Sequence, residues 1–347
     1  MIMFSIVIAA WNAEKTLVRA VESITKQVKE DYEVLIIDDA STDSTYEIAT
    51  LLSTKNQKIK FIKNSINLGP SQSRNIGVRE ARGRYIGFLD ADDEYTDTLF
   101  SSINSILLSN EPDVIKFGVE EIYKNYKRVV THNSFFLTKQ KDKVIAAINL
   151  ETLPLFGYAA NGFYKASEIK RNQVAFDKNL RFAEDFFFNF SFFKESRTFC
   201  FIDTPGYRYY KTSNQSLSSK DVPDYCPLYY KKLSLLSSWA EENSCFPDCG
   251  HDLGILLLKS IYSASARKIR NKEFGAAYKV IKKFLDSPEF MKIRPFLSRK
   301  DFKKNIIYLP VRYKFIIIIY FLSYLLSIPF IAKYTEKKVK NKWNSKC

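Results

Sequence analysis

The sequence is short of the residues that mark several large classes of protein. Its 347 residues include only 11 glycines and 11 prolines, and 46% are hydrophobic, which excludes collagen-like and disordered chains. The five cysteines are few and odd in number, so we expect a reducing, cytosolic setting and no disulfide framework. The apolar segment 1–10 has no basic stretch before it, and we expect a buried strand there, not a secretory signal.

Two nucleotide-binding signatures are also missing. The sequence contains neither the G-x-G-x-x-G fingerprint of dinucleotide-binding folds nor the G-x-x-x-x-G-K-[ST] pattern of a P-loop. A phosphate ligand would therefore have to be held mainly through a metal ion and basic side chains.

Positive charge is abundant but unevenly placed. The formal net charge is +15, yet residues 1–258 are close to neutral. Residues 259–347 contain 22 lysines and arginines against 5 aspartates and glutamates. A near-neutral body followed by a strongly basic tail predicts a domain boundary within residues 215–258.

The body alternates apolar, β-branched runs with segments of helical spacing. The predicted strands are 4–10, 32–37, 58–62, 85–89 and 113–119, and the predicted helices are 14–28, 44–52, 71–81 and 96–108. Near-continuous apolar strands separated by helices are typical of an α/β fold, with a mostly parallel sheet and helices on both faces.

Carboxylates follow two of these strands. Asp38 and Asp39 end one strand, and Asp90, Asp92 and Asp93 follow another. Ligands of such sheets bind at the carboxyl ends of the strands, and clustered carboxylates suit Mg²⁺ or Mn²⁺. The alternative is that these side chains cap the helices that come next.

Four motifs in order resemble the inverting family 2 glycosyltransferases, whose nucleotide-sugar domain has the GT-A, Rossmann-like fold. They are SIVIAAWN at 5–12, IDDASTD at 37–43, NLGPSQSRN at 67–75 and GRYIGFLDADD at 83–93. The resemblance covers roughly residues 3–215. It implies a GT-A catalytic domain at 1–215 and leaves 216–347 as a helical, basic C-terminal region.

The resemblance implies roles for individual residues in binding a nucleotide-sugar. Asp39 would hydrogen-bond the base, Asp92 would bind the divalent metal at the diphosphate, and Asp90 would contact the ribose or the metal shell. Ala9 stands where the family often has proline and Trp11 where it usually has tyrosine, in the wall expected to hold the base. The remaining residues of this predicted nucleotide-sugar set are Asn12, Asp38, Asn67, Arg74 and Ala91.

Transfer with inversion needs a base that takes the proton of the acceptor hydroxyl. Only two histidines exist and neither lies in a matching motif, so a carboxylate is the economical choice. The segment AEDF at 183–186 resembles the Glu-Asp pair that supplies the base in this family. The resemblance implies Asp185 as the base and Glu184 as the second candidate, and only one should face the anomeric carbon because neighbouring helical positions point about 100° apart. The alternative is that both cap the aromatic helix 186–193.

Three cations complete the predicted site. Arg208 or Lys211, in a stretch that resembles the family's loop over the donor, would contact the diphosphate and stabilise charge on the leaving group. Lys165 lies in a segment that resembles an acceptor-side motif.

The basic tail contains an uncharged run at 315–332 with lysines and arginines on both sides. Its 18 residues would span about 27 Å as a helix, barely the roughly 30 Å of a hydrocarbon core. Because both flanks are basic, we expect a helix in the membrane surface or a re-entrant hairpin, at the cytoplasmic side of the plasma membrane. A spanning helix and a buried C-terminal helix remain alternatives.

The combined expectation is a metal-dependent inverting glycosyltransferase that uses Mn²⁺ or Mg²⁺. Its donor would be a nucleotide diphosphate sugar, with UDP favoured, and its acceptor a lipid-linked or surface-glycan precursor. The alternative is a basic membrane- or nucleic-acid-binding protein with a non-catalytic nucleotide-binding fold. Nucleic acid is not expected as a partner because the excess charge flanks an apolar segment and does not line the carboxylate crevice; a homo-oligomer is left open.

Overall fold

The computed structural model describes residues 2–28, 31–180, 182–211, 225–297 and 308–327. The chain divides into two compact units, Met1–Val222 and Pro223–Cys347.

Within the described residues the first unit is built on one sheet of ten strands. Their order is β3-β2-β1-β4-β9-β6-β10-β5, with β7 beside β6 and β8 beside β10. The strands are β1 (Phe4–Ala10), β2 (Tyr32–Asp38), β3 (Ile59–Lys63), β4 (Tyr85–Phe88), β5 (Glu94–Tyr95), β6 (Val114–Tyr123), β7 (Tyr126–Val130), β8 (Phe135–Leu137), β9 (Gly162–Lys165) and β10 (Phe199–Tyr210).

The predicted α/β fold is confirmed. The strands β3, β2, β1 and β4 are parallel, and β10 is parallel to β6, whereas β9 runs antiparallel between β4 and β6. The helices of this unit are α1 (Leu17–Thr25), α2 (Thr45–Lys55), α3 (Pro70–Glu80), α4 (Leu99–Leu107), α5 (Gln140–Thr152), α6 (Ala166–Arg171) and α7 (Glu184–Glu195). Their apolar positions cover the sheet; on α1, for example, the buried residues recur at helical spacing.

Parallel pairing brings the carboxyl ends of β1, β2 and β4 to one edge. Ala10 pairs with Asp38, and Val7 pairs with Phe88. The helix α3 lies close against β1, because Gly77 has no side chain and a Cβ there would clash with Val7. This close packing fixes the position of α3, and with it the side chains on its first turns.

The second unit is helical, as predicted for the C-terminal region. Its helices are α8 (Tyr225–Glu242), α9 (Phe246–Arg270), α10 (Phe274–Leu285), α11 (Pro288–Ile293), α12 (Tyr308–Arg312) and α13 (Ile316–Ser327). The helix α13 covers much of the predicted apolar run, whose residues 328–332 and following lysines lie outside the described residues. Among the helices that the structure describes, none is both long and apolar enough to cross a membrane.

Candidate active site

Arg74 lies at the centre of a cluster of carboxylates at the carboxyl edge of the sheet. Its guanidinium, on α3 and only 7% exposed, donates from Nη2 to Asp90 Oδ1 at 2.8 Å. Its Nη1 lies 3.1 Å from Glu184 Oε1 and 3.2 Å from Asp185 Oδ1. Burial disfavours the charge of Arg74, but Asp185, Asp90 and Glu184 outweigh it and raise its pKa. The structure thus joins residues predicted from three separate motifs.

Glu184 and Asp185 open α7, where the N-terminal end of the helix favours negative charge. Asp185 Oδ2 accepts a hydrogen bond from the backbone N–H of Ala159 at 3.0 Å. Although neighbouring helical residues point about 100° apart, both carboxylates reach the same nitrogen of Arg74. Direction alone therefore does not choose between them.

The pKa of Asp185 does distinguish it. Burial raises this pKa to about 6, the charge of Arg74 opposes the rise, and the charges of Glu184 and Asp90 add to it. A carboxylate with a pKa near neutrality is suited to taking up a proton at physiological pH. The capping alternative does not account for a carboxylate held in this way by a buried arginine.

The three aspartates after β4 have different environments. Asp93 is buried and accepts hydrogen bonds from Tyr207 Oη and from the N–H of Tyr210 at 2.8 Å, so it ties this loop to β10. Asp90 is partly exposed and accepts from Tyr207 Oη at 3.3 Å. Asp92 is exposed and forms no salt bridge with any residue that the structure describes. Partial loss of hydration and the charge of Asp90 raise the pKa of Asp92.

The donor set at this edge fits a divalent cation that arrives with a nucleotide. The described residues contain no group of three or more histidine, cysteine or acidic side chains placed to hold a metal by themselves. Mg²⁺ needs no such cage, since it is commonly held by one or two carboxylates, substrate phosphates and water. The exposed carboxylate of Asp92, next to the partly exposed Asp90, meets that requirement.

The loops after β2 and β3 are joined by two of the residues predicted to bind the nucleotide. Asp39, 3% exposed, accepts from Asn64 Nδ2 and from the N–H groups of Leu68 and Gly69 at 2.7–2.8 Å. Asn67 donates to the Asp39 carbonyl at 3.2 Å. Asp39 therefore anchors the turn that begins α3; its contact with a base stays a prediction.

Asp38 and Asn12 make the neighbouring connections. The Asn12 side-chain oxygen accepts from the N–H of Thr42 at 2.9 Å, and Asp38 Oδ1 accepts from the N–H of Ser41 at 3.1 Å. Asp38 is fully buried, and its Oδ2 has no hydrogen-bond partner among the described residues. Both side chains therefore hold the backbone of the loop after β2 in place.

The residues predicted to line the base-binding side of the site differ in exposure. Trp11 follows β1 with 52% of its surface exposed, so an aromatic face is available at this edge. Ala9 is partly exposed, whereas Ala91 is buried at 7%.

Lys165 lies apart from the other predicted site residues. Lys165 ends β9, which runs antiparallel to β4, and it pairs with Tyr85 at the start of β4. Asp90 follows the other end of β4, so Lys165 lies at the opposite edge of the sheet, where its Nζ is 3.9 Å from Glu111. The reversed strand direction, which the sequence pattern does not reveal, explains the difference.

Arg208 and Lys211 lie at the carboxyl end of β10, and both pair with carboxylates. Arg208 pairs with Glu120 at 3.1 Å and Glu94 at 3.5 Å, and Lys211 pairs with Glu121 at 2.6 Å. Their contact with a diphosphate stays a prediction. The rest of the predicted loop, from residue 212, lies outside the described residues.

Sequence reasoning missed two contributors to the site. Tyr207 bridges Asp90 and Asp93, and Ala159 holds Asp185 through its backbone. The aromatic run 207–210 is a visible signal for the first, but a backbone donor in a loop leaves none in the sequence.

Comparison with known proteins identifies the fold around this site. The model of glycosyl transferase family 2 matches residues 5–168, which include Arg74 and the aspartates after β4. Residues 5–168 belong to glycosyl transferase family 2. The chain is 27% identical over 282 residues to the glycosyltransferase EpsJ of Bacillus subtilis, with 77% of this chain and 80% of EpsJ aligned.

Other relatives align over a smaller part. The chain is 40% identical over 136 residues to the Escherichia coli UDP-Glc:alpha-D-GlcNAc-diphosphoundecaprenol beta-1,3-glucosyltransferase WfaP, covering 39% of this chain and 49% of WfaP. It is 32% identical over 204 residues to the Bacillus subtilis minor teichoic acid biosynthesis protein GgaA, covering 56% and 44%. The chain thus spans about half the length of WfaP and GgaA.

A crystal structure of Staphylococcus aureus TarS residues 1–349 in complex with UDP-GlcNAc has the same fold. It superposes with a TM-score of 0.67 at 18% identity, over 92% of this chain and 89% of that one. The predicted GT-A fold is confirmed by this similarity.

Proposed function

We propose that this family 2 glycosyltransferase is a metal-dependent, inverting enzyme that transfers a hexose from a UDP-sugar to a hydroxyl group of a surface-glycan precursor. The observation that carries the proposal is the environment of Asp185. Its carboxylate lies beside Arg74 and the Asp90 loop, and its pKa is raised to about 6. A base with a pKa near the working pH is free to accept a proton and strong enough to take it.

Inversion requires the acceptor oxygen to attack the anomeric carbon opposite the departing diphosphate. Asp185 takes the proton of the acceptor hydroxyl as the new carbon–oxygen bond forms. The bond from the anomeric carbon to the diphosphate oxygen breaks, and its electron pair leaves with the nucleoside diphosphate. Arg74 keeps its own proton because the surrounding carboxylates raise its pKa, so it positions Asp185 without competing for that proton.

The other end of the donor fits the opposite side of the cluster. Asp92, with Asp90, would hold Mn²⁺ or Mg²⁺, which when bound offsets the charge of the diphosphate and stabilises the leaving group. A carboxylate offers about four acceptor positions, and Asp39 uses three within the chain, so one remains for an N–H of uracil. The exposed ring of Trp11 would stack on the base. Arg208 or Lys211 would exchange its carboxylate partner for a diphosphate oxygen.

The acceptor class is inferred from relatives. The printed name of WfaP gives a diphosphoundecaprenol-linked sugar as its acceptor, and GgaA is named for teichoic acid biosynthesis. We extend to this chain their common feature, an acceptor that belongs to a surface polymer or its lipid-linked precursor.

We also propose that the helical unit places the enzyme on the cytoplasmic face of an anionic membrane through α13. The buried face of this helix carries Ile319, Ser323 and Ser327, and Ser323 Oγ lies 2.7 Å from Ser265 Oγ on α9. The large apolar side chains point outward, with Ile317 84% exposed and Phe321 58% exposed. Bulky residues outside and small polar residues at the helix contact are typical of helices packed in lipid, and the reverse of a helix in water.

Charge favours an anionic bilayer over a second copy of the chain. The described residues of the helical unit include 14 lysines and arginines against 7 aspartates and glutamates. Each basic side chain near an anionic surface contributes about 1 kcal/mol of attraction. Two copies meeting through this unit would instead bring positive charge together.

The deciding experiment combines binding and product analysis. Calorimetry with UDP, GDP and ADP, each with and without Mn²⁺, tests the nucleotide and the metal. The same titrations on Asp92→Ala test the metal ligand, and Asp142→Ala on α5 is the matched control for loss of an exposed carboxylate. A panel of UDP-sugars with lipid-linked acceptors, followed by NMR of the anomeric proton of the product, tests inversion. Absence of binding to every nucleotide, or a product with retained configuration, would overturn the proposal.

A further inference from the structure

The loop from Phe156 to Ala159 is held from three sides by buried polar side chains. Asn189 Nδ2, one helical turn after Asp185 on α7, donates to the carbonyl of Phe156 at 2.9 Å. Tyr164 Oη, on β9, donates to Asn189 Oδ1 at 2.5 Å and lies 3.2 Å from the carbonyl oxygen of Ala159. The same loop donates the N–H of Ala159 to Asp185, so its position fixes one oxygen of the candidate base.

The third side is held by a lysine in an unusual place. Lys116 is on the central strand β6 and is fully buried, and its Nζ donates to the carbonyls of Phe156, at 3.1 Å, and Tyr158. Lysine is almost never fully buried, because removing an ammonium group from water is costly. Burial lowers the pKa of Lys116 to about 7, and the charges of Asp185 and Glu151 act in the opposite direction.

We propose that Lys116 is a positioning residue for the catalytic base: it holds the Phe156–Ala159 loop so that the Ala159 N–H stays on Asp185, and its ammonium favours the carboxylate form of Asp185. The inference rests on the proposed role of Asp185. Lys116 itself makes no contact with substrate in this role, because its side chain is fully buried in the protein.

The groups around Asp185 determine the sign of the effect. The charged and titratable side chains that influence it from neighbouring elements are Arg74 on α3, Asp90 after β4, Lys116 on β6, Tyr164 on β9 and Glu184 on α7. When the positive charge of Lys116 is removed, fewer cations oppose the negative charges of Asp90 and Glu184, which disfavour the ionised form of Asp185. A looser Ala159 N–H bond acts in the same direction, because that bond favours the ionised form. Both effects raise the pKa of Asp185.

The test compares two buried lysines. Lys116→Met removes the ammonium group, and the control Lys143→Met does the same on α5, where Nζ donates to the carbonyl of Ser196 away from the cluster. We expect Lys116→Met to lower kcat about tenfold or more, to leave the KM for the UDP-sugar within about twofold, and to move the acidic limb of the kcat/KM profile to higher pH. Lys143→Met is expected to leave the pH profile in place even if it lowers thermal stability.

A second readout does not require turnover. The carboxyl carbon of Asp185 can be titrated by ¹³C NMR in protein labelled at aspartate, with Asp185→Asn used for assignment, and Lys116→Met should raise the measured pKa. If the wild type transfers no sugar, the proposed function fails, and the titration still decides the role of Lys116. If Lys116→Met does not fold, Lys116→Gln, which keeps a neutral donor, takes its place. An unchanged Asp185 titration together with an unchanged kcat would overturn the inference.

Discussion

Arg74 joins Asp90 at 2.8 Å, and this contact links the second turn of α3 to the loop after β4. The opposite nitrogen of the same guanidinium meets the two carboxylates at the start of α7. One buried cation thereby sets the distance between the metal side and the base side of the proposed site. The charge of Arg74 also offsets three acidic groups that would otherwise repel one another.

Replacing Arg74 by methionine should therefore destabilise the fold as well as stop transfer. The change leaves three carboxylates without their shared cation, and we expect the free energy of unfolding to fall by about 3 kcal/mol. Urea unfolding measures this fall in the free energy of unfolding. Arg79→Met, an exposed arginine on the same helix, is the control, and equal midpoints for the two variants would contradict the assigned role.

The pH dependence follows from Asp185. Its pKa is raised to about 6, so kcat/KM should rise as the pH increases through 6 and then level. A carboxyl group whose folded pKa exceeds its unfolded value contributes stability at low pH that is lost as the pH rises through 6. Asp185→Asn should thus reduce transfer by a factor of about 10² to 10⁴ without lowering the free energy of unfolding at pH 7.5. An acidic limb that persists in Asp185→Asn would point to Glu184 as the base.

Two neighbouring aspartates should respond differently to substitution by alanine. Asp92→Ala should abolish metal-dependent UDP binding and change stability by less than about 0.5 kcal/mol, because this side chain is exposed. Asp93→Ala leaves the N–H of Tyr210 without its acceptor and Tyr207 with only the longer contact to Asp90, and it should cost about 1–3 kcal/mol. Calorimetry and thermal unfolding of both variants provide the comparison. Metal-dependent binding that survives in Asp92→Ala would remove Asp92 as the metal ligand.

Membrane contact through α13 is testable by vesicle flotation. The full chain should float with phosphatidylglycerol-containing vesicles and much less with phosphatidylcholine alone. The double substitution Ile317→Glu and Phe321→Glu should abolish flotation, whereas Leu108→Glu, at an exposed apolar position on the catalytic unit, should not. Flotation unchanged by the double substitution, or a concentration-dependent dimer that it disrupts, would refute the docking surface.

The fold was predictable where strands are parallel and apolar on both faces. The alternation from residue 4 to residue 119 identifies β1 to β4 and their helices, because β1, β2 and β4 are buried along most of their length and only β3, at the sheet edge, is partly exposed. It does not include the short strand β9, whose four residues carry no directional signal, and Lys165 lies apart from the other site residues because that strand is antiparallel.

The site was predictable as a set of residue types but not as a set of contacts. The motifs predict that Arg74, Asp90 and Asp185 lie close to one ligand. They do not show that Asp39 accepts hydrogen bonds from the backbone of the next loop, or that Asp93 accepts one from Tyr210 on β10. Backbone donors and long-range partners of this kind are set by packing, which leaves no local pattern in the sequence.

Gly77 gives the site an unexpected point of vulnerability. It has no side chain to take part in chemistry, yet even an alanine methyl group there would collide with Val7 and lift α3 from the sheet. Arg74 lies three residues earlier on the same helix, so that displacement would carry it away from its carboxylate partners. In a library of random variants selected for activity, we therefore expect position 77 to be as intolerant of replacement as the base itself, although it performs no chemistry.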